Sequence, residues 1–362
     1  MSFLLQQLLL EPQRILELDN DQLTHALSQA RSSRLLGSLA CEMQRLGIDK
    51  QLPQTVDRHF DSARLIHDKQ KRDLRYDTDK IKVALDSVGE KMVLLKGGAY
   101  LLAELPVGRG RFITDIDIIV PRHRIDAAEQ ALLDFGWQTG DIDPYNDQYY
   151  RKWGHEIPPL THTKREITLD VHHNILPPTA GPNVNAGLLF EQLIEIKPGI
   201  YTLSWQDMVI HSATHLFHEG EFHHGLRDLW DLDRMLRDFP ERDPHFWEGL
   251  VTRAQELQWT GSLFHGLNYA EQVFGTPLPA GILEATGSWT RAGRKPVMDF
   301  LFLRAFRPDH PDCKLPYTDF ALSMLYLRSH FLRMPLYLLL PHLVRKAWMR
   351  QFKKSEQIEA DA

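Results

Sequence analysis

The spacing of apolar residues changes twice along the chain and predicts three regions. From residue 1 to about 88 the pattern is helical. Leu8, Leu9, Leu10, Ile15, Leu16 and Leu23, then Leu35, Leu36, Leu39 and Met43, recur at roughly three- to four-residue intervals. Pro53 interrupts that pattern. Residues 56–87 follow as a polar stretch whose apolar positions (Ala63, Ile66, Leu74, Ile81, Ala84, Leu85) suit one amphipathic helix, with the charged run 68–80 on its solvated face. From residue 89 the apolar runs shorten. Met92-Val93-Leu94-Leu95 predicts a strand ending near Gly97-Gly98, then a helix over 99–104 and a loop over 106–111. A second strand is predicted over 115–120, and a helix over 127–135 that Gly136 stops, with Asp126 and Glu129 on its surface. Trp137-Gln138-Thr139 opens another strand, and residues 149–153 and 167–172 predict two more, paired as a hairpin. The proline-rich stretch 177–182 marks a boundary. Beyond it the helical period returns over 207–217, 226–236, 246–257 and 318–354. The expected fold class is therefore α+β: a helical N-terminal region (1–88), a mixed core (89–182), a helical C-terminal region (183–355) and a flexible tail (356–362).

Composition narrows the function classes. The 362 residues are 43% hydrophobic and 25% charged, which supports a substantial core and argues against a largely disordered chain. A net charge of −6 excludes a nucleic-acid coat protein and leaves only a local basic patch for that purpose. Cys41 and Cys313 are the only cysteines, so neither a disulfide framework nor a Cys-x-x-Cys zinc site is available, and a reducing compartment is expected. The first residues lack a basic, signal-like segment and read as a mature cytoplasmic start. The uncharged run 334–344 is too short to span a bilayer.

The chemistry concentrates around Thr114-Asp115-Ile116-Asp117-Ile118-Ile119-Val120. On a strand, Asp115 and Asp117 share one face roughly 6–7 Å apart, and Ile116 and Ile118 take the other. Two neighbouring buried carboxylates need a cation, and a hard divalent ion such as Mg²⁺, with Mn²⁺ as the alternative, takes carboxylate and phosphate oxygens together. Asp170, in Ile167-Thr168-Leu169-Asp170-Val171-His172, shares a strand face with Thr168 and His172. If the two strands are neighbours, three carboxylates can hold two ions, with Asp115 and Asp117 bridging both. Asp170 would then bind the catalytic ion alone and help take a proton from an attacking hydroxyl. Gly97-Gly98 at a strand-to-helix turn lets phosphate oxygens approach backbone N–H groups. Lys96 stands beside it, facing either phosphate or solvent. Arg109 and Arg111 are either triphosphate contacts or solvated loop residues. His172 is the histidine that best fits the cleft.

Leu95-Lys96-Gly97-Gly98, Asp115-Ile116-Asp117-Ile118-Ile119-Val120 and Leu169-Asp170-Val171-His172-His173 resemble a bacterial family of uncharacterised nucleotidyltransferases within the DNA polymerase β-like superfamily, found near polysaccharide-export gene clusters. The likeness is densest over 90–175. It extends through Ser204-Trp205-Gln206-Asp207 and Leu229-Trp230-Asp231-Leu232. It implies a nucleotidyltransferase-type mixed sheet with flanking helices, Mg²⁺, and ATP or another nucleoside triphosphate, and it implies no particular acceptor. Two features depart from the superfamily. Gly98 stands where a serine is common, and Asp115 follows Gly98 at a spacing of 17 residues. The expected activity is Mg²⁺-dependent transfer of a nucleoside monophosphate to a hydroxyl acceptor. The alternative is a nucleotide-binding or membrane-associated scaffold that keeps the fold.

Two further clusters compete for attention. His211, His215 and His218 share one helical face and precede His223, His224, Asp228 and Asp231. They either pack within the core, line the substrate cleft, or form a metal site able to support phosphate-ester hydrolysis. Residues 320–354 carry Arg328, Arg333, Arg345, Lys346, Arg350, Lys353 and Lys354 among aromatic and aliphatic residues, with no acid between Asp319 and Glu356. That segment suits either a core-packing helix pair with a basic edge, contact with the inner face of an anionic membrane, or a nucleic-acid backbone.

Overall fold

A computed structural model describes residues 3–140, 142, 144–180, 185–287, 294–335 and 337. Helices dominate the first region: α1 (Leu4–Leu10), α2 (Asn20–Ser32), α3 (Leu36–Leu46) and the long α4 (Gln54–Asp86). A reciprocal cap starts α2, with Asp19 accepting from Gln22 N and the Gln22 side chain accepting from Asp19 N. Gly47, at φ 69°, ends α3 in the left-handed conformation that glycine adopts without strain. Helix α4 spans 33 residues, about 50 Å, and buries Phe60, Ala63, Leu74, Ile81, Ala84 and Leu85 along one stripe. The face predicted as solvated also supports the loop before the second strand. Gln70 donates to Ile113 O at 2.7 Å and accepts from Ile113 N at 3.2 Å. Within the same charged run, Asp77 is buried against Arg165.

Among the described residues the sheet has seven strands. In chain order they are β1 (Met92–Leu94), β2 (Asp115–Ile119), β3 (Trp137–Thr139), β4 (Leu160–His162), β5 (Arg165–His172), β6 (Ile194–Lys197) and β7 (Ile200–Thr202). Helix α5 (Lys96–Leu102) follows β1, α6 (Ile125–Asp134) follows β2, and α7 (Pro144–Trp153) lies between β3 and β4. The order across the sheet is β3-β4-β5-β2-β1-β7-β6. β2 runs parallel to β5 and antiparallel to β1, while β1 runs parallel to β7. The sheet thus draws strands from both sides of the proline-rich stretch at 177–182, of which residues 181 and 182 lie outside the described set.

Two expectations are corrected here. Residues 149–153 are helical, and the hairpin partner of β5 is β4. The aromatics Tyr149, Tyr150 and Trp153 suggested a strand, but an i,i+4 pair between Arg151 and Asp147 favours a helix. Arg151 also reaches Glu129 on α6 at 2.7 and 2.8 Å, which buries a carboxylate expected on the surface.

The third region comprises α8 (Trp205–His218), α9 (Gly225–Arg242), α10 (Phe246–Glu256), α11 (Thr260–Phe274), α12 (Ile282–Ala285), α13 (Arg294–Ala305) and α14 (Thr318–Arg333). Phe217, Tyr269, Phe302 and Phe306 form an aromatic cluster among α8, α11 and α13. Of the basic C-terminal segment, Arg328 turns inward to Phe217 O at 2.6 Å and Arg333 pairs with Glu219 at 3.1 Å. Phe320, Leu327 and Phe331 are exposed on α14. Arg345, Lys346, Arg350, Lys353, Lys354 and the tail lie outside the described residues. Among the described residues no helix is long and apolar enough to cross a membrane.

Candidate active site

The three aspartates meet because β2 and β5 are parallel neighbours in register. Asp117 sits opposite Asp170, and Asp115 opposite Thr168. The alternate residues Ile116, Ile118, Leu169 and Val171 are fully buried on the other face and lock that orientation. Asp115 is half-buried, and its side chain forms no hydrogen bond or ion pair among the described residues. Asp170 keeps Oδ1 buried with no partner. Burial, then the charges of Asp117 and Glu156, push the Asp170 carboxyl up to about 7. Asp117 goes the opposite way. Burial opposes its charge, but Lys96 and His172 outweigh burial and hold it well below the usual carboxylate range.

Lys96 Nζ lies 2.7 Å and His172 Nε2 3.0 Å from the same oxygen, Asp117 Oδ1. Lys96 opens α5 with a left-handed φ of 47°, an unusual conformation for a side-chain-bearing residue. The two glycines behind it differ. A Cβ at Gly97 would fall 2.1 Å from Arg111 Nη1, whereas at Gly98 the nearest atom is Leu94 Cδ2 at 3.5 Å. Gly97 therefore lets a guanidinium rest on the backbone, and Gly98 has room for a methyl against Leu94 and Leu74.

Arg111 is not the solvated loop residue of one expectation. It is buried, its Nε donates to Asp231 Oδ2 at 2.7 Å, and it lies over the Tyr100 ring. Its remaining end rests at the glycine turn. Arg109 is exposed, and its charge is felt at Cys41 and Glu42 on α3. The other resembling motifs prove to be ties of the same kind. Ser204 caps α8 by accepting from Asp207 N, and Asp207 pairs with Arg253 through two contacts at 2.8 and 3.0 Å.

The histidines of α8 divide. Burial and then Lys96 hold His211 far below its ordinary range and push His215 down to about 4, with Asp117 opposing in both, so both lie within the field of the carboxylates. His218 instead bonds its own helix at Thr214 O, 2.9 Å away. His223 is exposed beside Asp309. Among the described residues two trios bring ligand atoms within 4.8 Å of one another: His25, His310 and Asp312, and His155, Glu156 and His172. The His211–Asp231 group forms no such trio. The three aspartates form none either, and Asp117 directs Oδ1 at Lys96 and His172.

Several residues around the cleft carry no sequence signal. Glu156 lies 3.2 Å from His172 Nδ1. Arg34 stands in the α2–α3 corner at φ 54°. That corner is docked on the loop before β2 by bare backbone: a Cβ on Gly37 would fall 2.2 Å from Gly110 O. The Arg34 side chain forms no hydrogen bond or ion pair among the described residues. Burial and the neighbouring Arg227 lower its pKa, with Asp115 and Asp228 opposing. Arg227 itself pairs with Asp228. No spacing rule joins residues 34, 156 and 227 to the Asp-x-Asp strand.

Comparison with known proteins gives one family. A model of a family described as uncharacterised nucleotidyltransferase matches residues 19–275. No curated protein and no solved structure matches significantly.

Proposed function

This chain belongs to the uncharacterised nucleotidyltransferase family, and from that premise we propose that it transfers a nucleoside monophosphate from a nucleoside triphosphate to a hydroxyl acceptor. The observation that carries the reading is the in-register pairing of Asp117 with Asp170, with Asp115 on the same face and one Asp170 oxygen lacking a partner. A set of only carboxylate oxygens, one of them buried and unpartnered, fits Mg²⁺, with Mn²⁺ as the alternative. Asp115, Asp117 and Asp170 would hold two such ions. When bound, the ions would neutralise charge on the carboxylates and on the phosphoryl oxygens.

The chain's own groups account for the rest. The acceptor oxygen forms a bond to the α-phosphorus as the bond to pyrophosphate breaks. Asp170, which keeps one oxygen without a protein partner, would also help take the acceptor's proton. Lys96, the free end of Arg111 and the unpaired Arg34 offer cations to the phosphates. Arg109 and His172 remain proposed substrate contacts from the sequence, His172 acting through Asp117.

Titration of each NTP with Mg²⁺ tests the reading. The wild type should bind at least one NTP in a Mg²⁺-dependent manner, and Asp115→Asn/Asp117→Asn should lose that binding. No binding by the wild type to any NTP would overturn it. A second reading, a non-catalytic nucleotide-binding or membrane-associated scaffold, draws on the Lys96 ammonium already seated on Asp117 and on the exposed apolar residues of α14. NTP binding without turnover against any hydroxyl acceptor would select it. We place the protein in the cytoplasm, in line with its free thiols Cys41 and Cys313, with α14 and the basic residues after it as the candidate contact with the inner membrane face or with nucleic acid.

A further inference from the structure

We propose that His155, Glu156 and His172 form a second metal site, for a borderline divalent transition ion of the zinc class, beside the aspartates and chemically distinct from them. His172 has a carboxylate against each ring nitrogen: Asp117 Oδ1 at 3.0 Å from Nε2 and Glu156 Oε2 at 3.2 Å from Nδ1. Both carboxylates are satisfied only when each ring nitrogen carries a positive partner, a proton or a metal ion. A metal ion between Nδ1 and Glu156 takes the place that a second ring proton would otherwise fill. An imidazole backed on its far nitrogen by a carboxylate is the arrangement that metal-bound histidines adopt.

His155 supplies the third ligand. Its ring centroid is 5.4 Å from that of His172, and one ligand atom from each of the three residues lies within 4.8 Å of the others. With metal–ligand distances of about 2.0–2.2 Å, the ligand atoms of a tetrahedral zinc stand about 3.3–3.5 Å apart. The His172–Glu156 pair is already at that separation, and His155 must close by about 1.5 Å at most. The backbone is fixed for the purpose. His173 N donates to His155 O at 2.8 Å and Ile157 N to Val171 O at 3.1 Å, which fastens residues 155–157 to the end of β5.

Donor chemistry separates the two sites. Two imidazoles and one carboxylate suit zinc, whereas three carboxylates suit Mg²⁺. Local charge permits the ion, because Asp115, Asp117 and Glu156 outnumber Lys96 and Arg333. Three protein ligands leave a fourth position open for water or an oxygen ligand. The site stands whether or not the chain transfers nucleotides.

The test is zinc content and affinity of the full-length, chelator-stripped protein, measured by competition with a chromophoric chelator. Wild type is compared with His155→Ala, Glu156→Gln and the control His25→Ala, which removes the exposed His25–His310–Asp312 trio. We expect one tight zinc per chain that survives millimolar Mg²⁺ and His25→Ala. Both site variants should weaken it by about 100-fold or more. Cobalt in place of zinc should show the visible bands of a tetrahedral site in the wild type and not in Glu156→Gln. Zinc affinity unchanged in His155→Ala and Glu156→Gln, or zinc lost entirely with His25→Ala, would overturn the proposal. If His155→Ala unfolds, the isosteric Glu156→Gln decides. Asp115→Asn is expected to lose NTP and keep zinc, so this site and the nucleotide site fail separately.

Discussion

Replacing Asp170 by asparagine should stabilise the metal-free protein while removing a proposed ion ligand. In the folded chain the Asp170 carboxyl is raised from 3.8 to about 7, first by burial and then by Asp117 and Glu156. Between those two values the folded state keeps a proton that the unfolded state has released. Folding stability therefore falls as pH rises through the window, and the full penalty is present above 7. The rise corresponds to about 4 kcal/mol at pH 8, and local relaxation brings the expected gain from Asp170→Asn to about 2–4 kcal/mol. At pH 5 the gain should fall by more than half. Urea denaturation of both proteins at pH 8 and pH 5, without divalent ions, reads this directly. Millimolar Mg²⁺ together with an NTP at pH 8 should raise the wild-type midpoint and leave that of Asp170→Asn nearly unmoved. An asparagine variant no more stable than wild type at pH 8, or a gain independent of pH, would refute the reasoning.

The glycine pair should respond asymmetrically. Gly97→Ala drives a methyl into Arg111 and loosens its buried pair with Asp231, for a loss of about 3 kcal/mol in denaturation. Gly98→Ala meets only ordinary contacts and should be neutral or stabilising by up to about 1 kcal/mol; equal losses at both positions would contradict the packing. Arg34→Ala should weaken NTP binding by roughly tenfold or more with little change in the urea midpoint, because its side chain pairs with no described residue. A stability loss with unchanged NTP affinity would make Arg34 a structural residue.

The parts of this fold that were legible in the sequence are those written in short-range pattern. The alternation through Asp115–Ile119 and Arg165–His172 gave both central strands, and two acids at i and i+2 gave the shared face. The long period of α4 was plain for the same reason. Short strands such as β4, β6 and β7 are three or four residues long, too brief for a period, and are held by partners far away in sequence. Helix α7 was masked by aromatics that favour strands locally. The cleft cations were invisible for a different reason: Arg34 and Arg227 reach it through the packing of Gly37 on Gly110 and of α9 on the loop before β2. Arg111 looked like a loop cation because its partner, Asp231, lies 120 residues on.

The ammonium of Lys96 makes the cleft a site of exchange rather than an empty acidic pocket. A divalent ion arriving alone must evict a cation already 2.7 Å from the oxygen it needs, and so forfeits much of the attraction the aspartates would otherwise offer. The evicted ammonium has somewhere to go only when phosphate lies at the glycine turn beside it. Metal and nucleotide then each remove the obstacle facing the other, and linkage requires that the help be mutual. Free Mg²⁺ should accordingly bind weakly, nucleotide without Mg²⁺ should bind weakly, and titrating either in the presence of the other should show the two affinities rising by one common factor.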